Sequence, residues 1–167
     1  MTGLNGLREA LRDYLLSRGI NALCAFPQQD SRRETVAVVS LRACESGPAG
    51  FRDYLGELWD EKAGAWVERY GRRVRLTFGL DLYASAESGG EEAVRAAFDR
   101  LVDTLHQGGP DGLRLQSVSC GETAFDRQVR RYRCPAQAVY ATLLWAEEGQ
   151  ETQTCFSDFD VKGEMLT

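Results

Sequence analysis

The chain has 167 residues, 43% of them hydrophobic and 27% charged, with a formal net charge of -5. That is enough chain to bury a core without metals or crosslinks, and too apolar a composition to stay disordered. The acidic balance argues against a dedicated duplex-DNA binder, whose affinity rests on Lys and Arg releasing counterions from phosphate. No stretch approaches the ~18 consecutive apolar residues of a membrane span.

Leu4, Leu7, Leu11 and Leu15 recur at helical spacing between charged residues, which predicts an amphipathic helix over about 4–18 stopped by Gly19. A short apolar run from Asn21 to Phe26 ends at Pro27, and Gln28 to Arg33 reads as a polar loop. Thr35 to Leu41 is apolar on both faces, the pattern of a central strand. After Ser46-Gly47-Pro48-Ala49-Gly50, the segments Phe51–Trp59 and Ala65–Tyr83 read as the two arms of a long β-hairpin joined by Asp60–Gly64. In the second arm Val74, Leu76, Phe78, Leu80 and Leu82 alternate with polar residues, so one face of that strand is buried.

Ser88-Gly89-Gly90-Glu91 has the form of a capping box, and Val94, Ala97, Phe98, Leu101, Val102 and Leu105 follow it on one helical stripe. Leu76, Phe78, Val94, Phe98 and Leu101 are therefore expected to share one core. The helix should stop at Gly108-Gly109-Pro110, with His106 in its last turn. Strands are predicted over Leu113–Cys120, Phe125–Cys134, Ala136–Trp145 and Thr154–Val161, with an edge or a bulge at Pro135. Together these give one α+β domain over residues 1–167. It is a mostly antiparallel sheet with a projecting hairpin and two main helices packed on it.

Residues that could carry chemistry are sparse. Cys24, Cys44, Cys120, Cys134 and Cys155 are odd in number, scattered and never spaced Cys-x-x-Cys, which fits a reducing cytoplasm better than a disulfide framework. The N-terminal residues show no basic segment leading into an apolar run, so no secretory leader is expected. His106 stands far from every cysteine in the sequence, so neither a zinc site nor a His-based triad is expected. The glycine-rich pieces lack phosphate-loop spacing. Asp158 and Asp160 share a strand face but make only half a cation site. No catalytic residue, metal or cofactor is assigned.

Two features point to contacts with other molecules. Tyr54, Leu58, Trp59, Trp66 and Tyr70 gather toward the hairpin tip, where they either staple the two strands together or anchor a partner. Two arginine clusters, Arg69, Arg72, Arg73 and Arg75, then Arg127, Arg130, Arg131 and Arg133, stand out in an acidic chain. They are either solvated strand faces or ion-pairing surfaces between subunits, with Arg72, Arg73, Arg130, Arg131 and Arg133 as the contact candidates.

The stretches from Val38 to Phe51 and from Val74 to Ala84 resemble phage tail-terminator proteins of prophages and contractile tail-like particles from Gram-positive bacteria. Ala97–Leu101, Gly109–Leu113, Ser119–Thr123 and Asp158–Gly163 fit the same group. The resemblance implies a non-enzymatic virion subunit that forms a ring, expected to be hexameric, and caps the tail tube. Such a ring stops tube growth and offers a docking face to the head or neck. Implied partners are further copies of the chain, the tube protein, and sheath and neck proteins, with no membrane and no specific nucleic acid. Assembly would take place in the host cytoplasm and leave the protein in the virion tail. A neck or connector protein of the same particle, or a small ligand-binding enzyme using Asp158, Asp160 and the arginines, are the alternatives.

Overall fold

The computed structural model describes residues 3–25 and 34–147 of an α+β chain. Helix α1, Gly3–Ser17, buries Leu7, Leu11 and Leu15 on one stripe. Leu4, on the same stripe in the first turn, is exposed. The helix ends in a Schellman motif: Gly19 N–H donates to Leu16 O and Ile20 N–H to Leu15 O, both at 2.9 Å. Gly19 sits at φ 75, a left-handed conformation that explains why glycine occupies this position.

The sheet is built around β4, Ala65–Ala84, whose 20 residues would span about 66 Å if straight. One flank of β4 is shared end to end by β2, Val36–Pro48, and β3, Tyr54–Asp60, both antiparallel to it. The other flank is shared by β7, Arg131–Cys134, and β8, Ala136–Glu147. Beyond these lie β1, Ala22–Leu23, parallel to β2; β5, Arg114–Cys120, on β8; and β6, Ala124–Asp126, on β7.

Three expectations change here. Strand β2 lies between β1 and β4, but among the described residues β1 covers it only at Ala37 and Val38, so only its first part is inside the sheet. It also runs on through Pro48, well past Leu41, where the apolar run ends. Pro135 makes no bulge, since Leu82 faces Cys134 and Gly79 faces Gln137 without a register shift. The ladder lapses there because proline has no N–H, while its carbonyl accepts from Gly121 N–H at 2.9 Å. The stretch from Phe125 to Cys134 is a hairpin, β6 to β7, whose turn is held by Asp126 Oδ1 accepting from Gln128 N–H at 2.9 Å. The polar loop at Gln28–Arg33, the strand at Thr154–Val161 and the pair Asp158 and Asp160 lie outside the described residues.

Helix α2, Gly90–His106, packs on the same sheet face as α1. Its N-cap is Gly89 at φ 97, with no side-chain capping bond, so the expected capping box does not form. Ser88 instead belongs to a short 3-10 turn, where its hydroxyl bonds that of Ser85 at 2.7 Å. Tyr14 O–H donates to Thr104 O at 3.1 Å and ties the two helices together. Leu76, Phe78, Val94 and Leu101 are buried in one cluster, with Phe98 half-buried at its margin. His106 is exposed in the last turn of α2 as expected, its Nδ1 2.8 Å from Val102 O. Among the described residues no helix is long and apolar enough to cross a membrane.

Candidate functional site

The arm grows from a sharp corner. Arg52 and Asp53 both have positive φ, 55° and 61°, and these two strained residues turn the chain from β2 into β3. A Cβ on Gly50 would lie 2.7 Å from Tyr54 O, so a side chain there would push the corner open. At the far end Asp60 Oδ1 accepts from Lys62 N–H at 2.8 Å and Ala63 N–H at 3.2 Å, while Gly64 supplies the left-handed φ of 62°. Among the described residues β8 reaches only as far as Arg69, so the last four pairs, Glu57–Glu68 to Asp60–Ala65, form a two-stranded tip. A two-stranded ribbon is marginal by itself in water.

The register sorts the five aromatic and apolar candidates. Trp59 faces Trp66 and Tyr54 faces Tyr70, each pair edge-to-face with centroids 5.7 Å apart. Directly opposed residues share a face, and β4 alternates without interruption, so both pairs lie on the face that further along carries the core residues Val74, Leu76 and Phe78. Leu58 pairs with Val67 on the reverse face and does not join them. The aromatics do staple the strands, and they also remain between 37% and 65% exposed. Stapling the strands therefore leaves much of their surface uncovered in the single chain.

Between the two aromatic pairs stand Glu57 and Glu68, directly opposed. Directly opposed like charges destabilise a ladder. Tyr70 O–H donates to Glu68 Oε2, whereas Glu57 makes no hydrogen bond or ion pair among the described residues. The phenol of Tyr54 is pushed up, first by desolvation and then by the two glutamates. The sequence reading passed over this carboxylate pair, since the two residues are eleven positions apart and meet only in the hairpin register. It also passed over Phe51, 84% exposed at the corner beneath Arg52.

The arginine candidates do not form one surface. Arg72 shares the aromatic face and pairs with Asp53 at 3.5 Å. Arg73 is exposed on the reverse face. Arg133 lies on that reverse face too, opposite Tyr83 and ten positions along β4, roughly 33 Å away. It donates to Asp81 Oδ2 at 2.9 Å, and Arg42 donates to Asp81 Oδ1 at 2.6 Å, so both cations are already engaged within the chain. Arg42 reaches Asp81 across Gly79, where a Cβ would collide with its Nε. Arg130 is exposed in the β6–β7 turn at φ 53. Arg131 is only 5% exposed, which removes it as a surface contact: the β6–β7 hairpin folds it inward.

Between α2 and β5–β7 lies a hollow of about 470 Å³ bordered by Glu91, Arg95, Phe98, Cys120, Glu122 and Cys134. The buried Cys134 thiol donates to Gly121 O at 3.8 Å and is pushed up by burial and then by neighbouring Cys120. Such a thiol is a poor nucleophile. Brief maleimide labelling of the native protein, mapped by mass spectrometry, is expected to modify exposed Cys44 and Cys120 well before Cys134. Equal rates at Cys120 and Cys134 would show that the hollow opens. No group of three or more potential ligands that could hold a metal ion occurs among the described residues.

No protein-family model matches this sequence, and no curated protein matches it.

Proposed function

We propose that the chain is a structural subunit of a phage-type tail, joining copies of itself through the projecting arm into a ring that caps the tail tube. The ring ends tube growth and gives the head or neck a surface to dock on. The observation that carries this reading is the arm's exposed face, where the Trp59–Trp66 pair stays partly in water on a tip that, among the described residues, is two strands wide, with the partly exposed Tyr54–Tyr70 pair just behind it. Burial against a neighbour would stabilise both the aromatics and the ribbon, and interface energy commonly concentrates in such anchors. The resemblance to tail terminators supports the fold side of the reading. Its two longest stretches form β2 with its corner and the buried half of β4, and neither includes the arm tip.

Light scattering across a concentration series tests the assembly. The wild type is expected to form a closed oligomer. Trp59→Ala combined with Trp66→Ala is expected to shift it toward monomer with an unchanged circular dichroism spectrum. A wild type that stays monomeric at high concentration with tube protein present overturns the ring. If tails assembled without this protein keep their normal length and still join heads, it is not a terminator.

A further inference from the structure

We infer that the acidic, aromatic face of one subunit's arm seats on the arginine-bearing reverse face of the next subunit's sheet, making the self-contact head-to-tail. This rests on the self-assembly reading above and names the surface that receives the arm.

Strand β4 carries both halves of the contact. On one face Glu57 and Glu68 stand between the Trp59–Trp66 and Tyr54–Tyr70 pairs. On the reverse face Arg73 and Arg75 are exposed, and the register runs from Arg75 through Ala141 to exposed Arg114, two strands away. These three arginines make no hydrogen bond or ion pair among the described residues. Exposed Glu45, opposite Arg75, lowers the positive charge of this surface without cancelling it.

The chemistry of the two faces is complementary. An opposed carboxylate pair is repulsive when alone and attractive once a cation lies between its members. A guanidinium placed there also has aromatic rings on either side to stack against. Spacing agrees as well, since successive residues on one strand face are about 6.7 Å apart. That is the step from the glutamates to each aromatic pair and equally the step from Arg73 to Arg75.

The placement also fixes the symmetry. Donor and acceptor occupy opposite faces of one strand, so the same patch cannot meet itself across a two-fold axis. A head-to-tail contact propagates until it closes a ring or grows a filament.

Charge exchange in the full-length chain tests this. Glu57→Arg with Glu68→Arg, and separately Arg73→Glu with Arg75→Glu, are each expected to weaken self-association by about tenfold or more. An equimolar mixture of the two variants is expected to assemble again, since each arm then meets a face of opposite charge. A single chain carrying all four changes is expected to assemble alone. Circular dichroism confirms the fold of each. If both double variants assemble like the wild type, or if neither the mixture nor the fourfold variant recovers assembly, the inference is overturned and the ring reading stands. If the wild type itself never associates, the ring reading is overturned and this contact with it.

Discussion

Replacing Phe78 by alanine is expected to destabilise the fold by about 3–5 kcal/mol, the usual cost of removing a large aromatic ring from a packed core. Phe78 is fully buried at the middle of β4, edge-to-face with Tyr140 at 5.7 Å. It shares one buried cluster with residues of both helices and the flanking strands, so little can collapse into the space left behind. Phe98, which the helical stripe placed in the same core, is half-buried and borders the hollow, and its alanine variant is expected to cost less, about 1–3 kcal/mol. Urea titration checks both: the midpoint should fall further for Phe78→Ala, with little change in slope. A loss below about 1 kcal/mol at Phe78 would show that the helices do not pack over the centre of β4.

The contrast between these two phenylalanines shows what could be read from the sequence. Strict alternation from Val74 to Leu82 fixes a strand face whatever its neighbours are, and all five residues are buried. The stripe on α2 gives a direction around the helix but not how deeply each residue on it sits, so Phe98 was placed too deep. The capping pattern at Ser88 failed for a local reason. Gly89 and Gly90 both adopt positive φ, which lets the chain enter the helix without a side-chain cap.

The arm was legible as a concentration of aromatics at a turn, and its two-sidedness was not. Which residues share a face depends on pairing register, and the register shift between Tyr54 and Gly56 moves every assignment on one side of it. Arg72 and Arg73 are adjacent in sequence and therefore on opposite faces. The sequence clusters are thus not surface clusters, whereas Arg75 and Arg114, far apart in the chain, stand in one row. Arg133 shows a further limit: its partner Asp81 lies 52 positions away, and only the β4–β7 pairing brings the two together.

Above about pH 10 the fold is expected to lose stability progressively, and Tyr140→Phe is expected to remove much of that loss. Tyr140 is fully buried, and its hydroxyl finds no hydrogen-bond partner among the described residues. Burial, with a smaller contribution from Tyr14, pushes the phenol well above its ordinary value of 10.0. The folded chain therefore keeps this proton at pH values where the unfolded chain has released it. From the ordinary value upward the unfolded state binds fewer protons, so stability falls by up to ~1.4 kcal/mol per pH unit until the folded phenol also titrates. Below that window the group has no effect on the pH dependence. Cys134 and Tyr83, pushed up from 9.0 and 10.0, add to the alkaline loss in both proteins, so the difference between wild type and variant isolates Tyr140. At neutral pH Tyr140→Phe keeps the ring packed on Phe78 and removes a buried hydroxyl without a partner, and is expected to be neutral or stabilising by about 1 kcal/mol. Urea midpoints measured from about pH 8 to about pH 11 should therefore diverge as pH rises, with the variant above the wild type. Parallel curves would mean that the phenol ionises equally readily in both states, and so that Tyr140 is not buried as described.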